Sequence, residues 1–174
     1  TAANMTDRIA AFGGVVVVNR KLDKATAEEI SKNYVEVVAA PELEKEAEEI
    51  LAAKKNMRII KITKLSRLQD YRKKRFIEFK ALLDGGIILQ QSADNELKKE
   101  DLMAAEAEHQ GRAHKIGRQP TKKEAEDMLF AWKVVQGVIS NSMVFAKDKT
   151  TVAIGTGEQD RVGATELAIV KAYK

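Results

Sequence analysis

Cysteine does not occur among the 174 residues. Its absence excludes disulfides, thiolate metal sites and a cysteine nucleophile, and it fits a cytoplasmic protein. No apolar run approaches the ~20 residues that a membrane helix needs, and no signal-peptide pattern opens the chain. Neither an internal repeat nor a low-complexity linker divides it. Generic chemistry-bearing signatures are missing as well: there is no Walker sequence, no Gly-x-Ser-x-Gly elbow and no His-Glu-x-x-His helix. His109 and His114 lie five apart with no third ligand at metal-binding spacing, so two surface histidines are expected rather than a zinc site.

Charge of one sign is in short supply overall. Thirty basic residues against 26 acidic leave a net charge of +4, a small excess that argues against a nucleic-acid partner. The distribution is less even, because residues 54–80 hold eleven basic residues against Asp70 and Glu78, whereas residues 42–49 are acidic apart from Lys45. A basic stretch of that density either meets a polyanion or is a solvated connection. Hydrophobic residues at 44% beside charged residues at 32% describe a globular chain, long enough for one domain with a real core. There is no initiator Met, and residues 165–173 still read as a helix where the sequence stops. The chain is therefore expected to be a piece of a longer polypeptide.

Strand and helix patterns alternate along the chain, which argues for a layered α/β domain. Gly13-Gly14 leads into Val15-Val16-Val17-Val18, an unalternated β-branched run expected to be a strand covered on both faces. Asp23 is placed to start a helix with residues 26–31 inside it, and Asn33 interrupts that helix. Residues 34–39 read as a second strand ending at Pro41, with Glu36 in the middle of its apolar run. A carboxylate there either faces water or receives hydrogen bonds, because burying it unpaired is expensive. Residues 41–55 are expected as an amphipathic helix with Leu43, Ala47, Ile50 and Leu51 at helical spacing, stopped by Asn56. Residues 58–62 give a third strand.

Further along, residues 65–74 read as a basic loop or short helix and residues 75–82 as a strand. Asp84-Gly85-Gly86 is a turn, and residues 87–91 are another strand. A helix is expected over residues 95–110, ended by Gly111. The clearest helix is residues 122–138, where Thr121 and Glu124 fit a capping box and Met128, Leu129, Trp132, Val135 and Gln136 trace the buried face. Residues 140–161 then supply an apolar strand, a charged turn, a second apolar strand, a loop holding Gly155 and Gly157, and a helix that begins near Arg161. Such glycines let the backbone approach a ligand, and a helix N-terminus beside an Arg suits an anion. The same arrangement also occurs as a plain strand-to-helix connection, and the Gly13-Gly14 turn has the same two readings.

Five separated motifs go beyond these local readings: Ala11-Phe12-Gly13-Gly14, Tyr34-Val35-Glu36-Val37-Val38-Ala39-Ala40-Pro41, Ala52-Ala53-Lys54-Lys55-Asn56, Ser140-Asn141-Ser142 and Gly155-Thr156-Gly157-Glu158-Gln159-Asp160-Arg161-Val162. In that order they resemble the transformylase part of the AICAR transformylase/IMP cyclohydrolase family, from about residue 7 to residue 174 and least over residues 65–74 and 97–113. The resemblance implies a cytidine-deaminase-like layered α/β fold, with residues 1–174 as a partial domain, and active sites lying across a homodimer interface. It implies formyl transfer from formyl-tetrahydrofolate, a co-substrate, to the amine of aminoimidazole carboxamide ribonucleotide (AICAR). Carried over by position, Arg161 is similar to the arginine that holds the nucleotide phosphate, and Asn141 to the catalytic asparagine that positions the carboxamide and amine. Gly13 and Glu36 resemble contacts to the aminoimidazole carboxamide, while Ile9 and Phe12 match positions bordering the folate.

Departures from the family pattern set limits. An adjacent Lys-His pair that moves protons lies upstream of the Phe-Gly motif in the family, and His114-Lys115 matches neither its order nor its place. The chain alone is thus expected to be inactive or very weak in formyl transfer. Glu158, Gln159 and Asp160 stand where the commoner motif reads Gln-Met-Ser, and Thr156 stands in place of its alanine, which puts two carboxylates near the expected phosphate. The alternative reading is a non-catalytic α/β module that uses residues 54–80 for nucleic acid or a partner protein.

Overall fold

In the computed structural model, which describes residues 7, 9–72, 74–92, 96–103 and 106–173, Gly13 turns the chain into its first strand with φ +69°. Few side chains adopt that conformation, and a Cβ here would also press against the Glu36 carboxylate at 3.3 Å. Strands β1 (Gly14–Val17), β2 (Val35–Ala40) and β3 (Arg58–Lys61) form a parallel sheet in sequence order. Each crossover moves one strand in the same direction. Right-handed connections therefore put α1 (Lys24–Ser31) and α2 (Lys45–Ala52) on one face of the sheet. The core lies between them, with Leu22, Ala27, Val35, Val38, Ala40, Ala47 and Leu51 buried and Val16, Val18 and Ile59 packed against it. Burial of Leu22, Leu51 and Val38 contributes about 1.5–3 kcal/mol each.

One-sided cover corrects the expectation for the valine run. Val16 faces the helices, but Val15 and Val17 are each 63% exposed, so four valines in a row mark a twisted strand with one open face rather than two covered ones. The second helix is also shorter than the amphipathic pattern of residues 41–55. Leu22 N donates to Glu42 O and Glu44 N donates to Leu22 O, a short parallel bridge of Leu22 with Leu43 that keeps residues 42–44 extended. Asp23 caps α1 by accepting from Thr26 N at 2.8 Å.

Beyond β3, a single 3-10 turn (Leu65–Arg67) runs into α3 (Leu68–Arg72), the short-helix reading of that segment. Strands β4 (Ile77–Ala81) and β5 (Ile87–Gln91) pair as an antiparallel hairpin closed by Asp84, Gly85 and Gly86. Alternation puts Ile77, Phe79, Ile87 and Leu89 on one side and Glu78, Lys80 and Gln90 on the other. All of these elements fall within one compact unit, Ile9–Asp94, and the remainder within a second, Asn95–Lys174.

In the second unit the long helix expected over residues 95–110 is replaced by α4 (Lys99–Met103) and an antiparallel hairpin, β6 (Glu106–His109) with β7 (Arg112–Lys115). Gln110 and Gly111 both have positive φ. Two such residues make the tight turn that matches strand twist, so Gly111 closes a hairpin instead of ending a helix. Residues 95, 104 and 105 of that expectation, and Lys73 of the basic stretch, lie outside the described residues.

Helix α5 (Lys122–Val135) has the capping box: Thr121 Oγ1 accepts from Glu124 N at 3.2 Å and the Glu124 carboxylate accepts from Thr121 N at 2.8 Å. Its inward face differs from the sequence pattern, since Ala125 is fully buried while Met128 and Trp132 remain 44% and 39% exposed. The small residue marks the closest approach, and the large ones lie to its side. Strands β8 (Met143–Lys147) and β9 (Thr150–Gly155) are joined by Asp148 and Lys149, both at φ +53°. Non-glycine residues tolerate this because Asp127 of α5 accepts from both amides, at 3.0 and 2.8 Å. Helix α6 (Arg161–Ala172) lies on β9 through buried Ala164 and Ala168. Among the described residues no helix is long and apolar enough to cross a membrane.

Two outcomes follow from these contacts. A Cβ at Gly155 would overlap the Ala164 carbonyl oxygen and sit 3.0 Å from Ala168 N, so Gly155→Ala should destabilise the Asn95–Lys174 unit by about 3 kcal/mol in urea titration. A loss below about 0.5 kcal/mol would contradict that packing. The second outcome concerns acid. Arg118 donates to both Glu124 oxygens, at 2.7 and 2.8 Å, and with the Thr121 hydrogen bonds it holds the Glu124 carboxyl down at about 2, against an ordinary value of 4.5. A depressed carboxyl stabilises the fold above its unfolded pKa and loses that contribution as pH falls from 4.5 toward 2. The melting temperature should drop across that window, and Glu124→Gln should make the drop shallower; parallel acid profiles would show that the pair does not support the helix.

Candidate functional site

Strand β9 has to bring its last residue almost onto α6, and Gly155 alone permits it. The chain then needs a loop of five residues before the helix. That loop is tied down at both ends. Thr156 Oγ1 donates to Ile139 O at 2.7 Å and Gly157 N donates to the same oxygen at 3.3 Å. Gly157 takes φ +74°, which turns the loop toward the helix. From the other side, Asn141 N donates to Glu158 O at 3.2 Å, and Asn141 Nδ2 donates to Glu158 O at 3.2 Å and to Gln159 O at 3.0 Å. The Ser140–Asn141 peptide bond is cis.

This bonding fixes what Asn141 offers chemically. Two carbonyls can be satisfied only by the NH2 end of the amide, so the orientation of the group follows from its partners. Oδ1 remains as an acceptor. At the helix start, Asp160 caps α6 by accepting from Gly163 N at 2.8 Å, and an ideal Cβ on Gly163 would lie 3.4 Å from Glu158 Oε2. Two carboxylates therefore cover the first turn. Arg161, the first residue of α6, is exposed, and among the described residues its guanidinium makes no ion pair. An anion at this place would be held by the fork of Arg161 more than by the helix amides, one of which Asp160 already occupies.

The Ile9–Asp94 unit carries a second polar corner. Half-buried Glu36 places Oε1 beside Gly13, whose own N–H donates to Tyr34 O at 3.0 Å. Tyr34, Glu36, Lys55, Asn56, Met57 and Arg58 line a cleft of roughly 320 Å³. Phe12 stacks on Tyr34 with ring centroids 4.8 Å apart, and both Phe12 and Ile9 are largely exposed, at 73% and 87%. A larger groove, roughly 1290 Å³, opens on the other unit beside Arg118, Met128 and Phe145. It includes none of the residues predicted for the site, and its Arg118 is engaged in the Glu124 pair.

Comparison with known proteins decides the family. The model of the AICARFT/IMPCHase bienzyme matches residues 1–171. The chain belongs to that family. It is 39% identical over 167 residues to the bifunctional purine biosynthesis protein PurH of Caldicellulosiruptor saccharolyticus, covering 96% of this chain and 29% of that protein. PurH of Oceanobacillus iheyensis is 38% identical over 170 residues, with 98% and 30% covered. PurH of Anaeromyxobacter dehalogenans is 37% identical over 172 residues, with 98% and 31% covered. The chain thus spans less than a third of the length of the curated relatives it matches.

Within this bienzyme-family chain, Asn141 and Arg161 fall on one compact unit, Asn141 bonded to the half of the loop that leads into Arg161, while Ile9, Phe12, Gly13 and Glu36 fall on the other. Sequence reasoning did not assign roles to Thr156, Tyr34, Lys55 or Arg58. Thr156 was legible only as a departure from the commoner family motif, and Tyr34 only as part of an apolar run. The Lys54-Lys55-Asn56 motif gave a signal, but nothing in it pointed toward Glu36.

The amide of Asn141 supplies a direct check. Asn141→Asp replaces the two N–H donors of Nδ2 by one carboxylate oxygen that faces the carbonyls of Glu158 and Gln159. It should destabilise this unit by about 1–3 kcal/mol and speed amide exchange over residues 156–160. Unchanged exchange there would mean that the side chain does not tie the loop.

Proposed function

We propose that this chain carries part of the nucleotide-binding machinery for formyl transfer to AICAR in purine biosynthesis, with formyl-tetrahydrofolate as donor. The observation that carries the reading is the loop of residues 156–160, to which Asn141 is bonded with its Oδ1 left as acceptor and which leads into Arg161, exposed and without an ion pair among the described residues. In the reaction the amine nitrogen bonds to the formyl carbon and gives up a proton, while the bond from that carbon to the folate nitrogen breaks and the departing folate nitrogen takes up a proton. Asn141 Oδ1 accepts from an N–H of the substrate and so orients the amine, because its own hydrogens are already engaged. Arg161 takes the phosphate in a bidentate contact. Glu36 places a carboxylate oxygen beside Gly13 that accepts no hydrogen bond among the described residues, which suits the N–H donors of a carboxamide. The Phe12–Tyr34 stack and Ile9 offer the flat apolar surface that a pterin ring fits; formyl-tetrahydrofolate would supply the formyl group there.

The same reading takes the working protein as a cytoplasmic homodimer. Basic residues of the alternative reading lie on β3, the 3-10 turn, α3 and β4. Arg67 and Lys74 lie against the Tyr71 ring, at 5.6 and 5.9 Å from its centroid.

Calorimetric titration with AICAR tests the proposal. Arg161→Ala should weaken binding by about 1.5–3 kcal/mol, the range for a hydrogen bond to a charged group. Affinity equal to that of the unmodified chain would take Arg161 out of the site. Salt-steep RNA binding without any response to AICAR would favour the module reading instead.

A further inference from the structure

We infer that Thr156 is a positioning residue: its hydroxyl latches the loop of residues 155–160 and thereby sets the place of Arg161 relative to the Asn141 amide oxygen. The inference rests on the reading of Arg161 as the phosphate contact. The loop has two anchors in the preceding segment, Ile139 and Asn141. Asn141 holds the second half of the loop through three hydrogen bonds. β-pairing ends at Gly155, opposite Met143, and among the described residues Thr156 and Gly157 are then held by the Ile139 carbonyl, which accepts from Thr156 Oγ1 at 2.7 Å and from Gly157 N at 3.3 Å.

These two bonds are unequal. A distance of 2.7 Å is at the optimum for a hydroxyl donor, whereas 3.3 Å is beyond the usual range for an amide. Side-chain packing gives Ile139 little further hold, since it is 77% exposed. Gly157 adds conformational freedom at the point the hydroxyl has to restrain. Without the Thr156 donor, the loop is free to pivot about its Asn141 contacts, and those contacts are made by the same amide whose Oδ1 faces the substrate. Packing on β9 holds the body of α6, so what shifts is the last residue of the loop and with it the exposed Arg161 side chain at the very start of the helix. The hydroxyl itself touches no reacting atom. Its effect is transmitted through the main chain of residues 156–160.

Three variants of the chain, Thr156→Val, Thr156→Ser and Arg161→Ala, titrated with AICAR and with its phosphate-free riboside, separate the possibilities. Valine keeps the shape and loses the donor, and it should weaken AICAR binding about five- to tenfold while leaving riboside binding within about twofold. Serine keeps the donor and should bind like the unmodified chain. Equal AICAR affinity in the valine variant, with Arg161→Ala impaired, would overturn the latch and leave the phosphate reading in place. Equal loss for AICAR and riboside in the valine variant, or no rescue by serine, would reduce Thr156 to a purely structural residue and also overturn it. Insensitivity of both Arg161→Ala and Thr156→Val, or no AICAR binding by the unmodified chain, would remove the phosphate reading and the latch together.

Discussion

The constraint on which the candidate site depends is the contact between the end of β9 and the first turns of α6. Backbone meets backbone there, with no room for a single carbon atom on Gly155. Ala164 and Ala168 complete the contact from the helix side because they too are small and buried. A helix held that close cannot slide along the strand without a clash, and interiors packed to this density resist intermediate positions. The backbone of α6 is therefore placed by packing at Ala164 and Ala168, three and seven residues beyond Arg161, while the loop hydrogen bonds set residues 156–160 directly before it.

A second constraint sits on the opposite side of the same hairpin. Asp127 of α5 caps the Asp148-Lys149 turn, and ion pairs of Lys123 with Asp148 and of Lys149 with Glu126 flank it. The ion pairs are exposed and contribute little individually. The two amide bonds to Asp127 matter more, since they accompany positive φ at two residues that lack the freedom of glycine. The β8–β9 hairpin is thus fixed at its turn by α5 and at its open end by α6, and the loop of residues 155–160 leaves from the more tightly held end.

Local chemistry explains which elements were legible in the sequence. Asp23, the Thr121/Glu124 capping box and the start of α6 near Arg161 were readable because a cap is written in two or three adjacent residues. Residues 87–91 were readable because the bounding turn is glycine-rich. Residues 106–115 were not. Their composition favours a helix, and only the pairing of two short strands across Gln110-Gly111 overrides it. The inward stripe of α5 was misread for a related reason, as large apolar residues draw attention while Ala125 is the residue that is fully buried. Of the site, the motifs named Asn141, Arg161, Gly13 and Glu36 without showing what each side chain is bonded to. That Asn141 retains only an acceptor is a property of Glu158 and Gln159 carbonyls, and backbone partners leave no trace in residue identity.

Charge at the head of α6 gives the loop its particular character. A bare helix N-terminus attracts anions through several amides and its dipole. Here Asp160 already accepts from Gly163 N, and Glu158 lies alongside. On the proposed reading both carboxylates would repel an incoming phosphate, while Arg161 would attract it with two parallel donors. Attraction of this kind is steep in distance and angle, so a group that reaches the fork in register is held, and a displaced one meets net repulsion. Selectivity would then rest on the separation of Arg161 from Asn141, which the loop hydrogen bonds help to maintain.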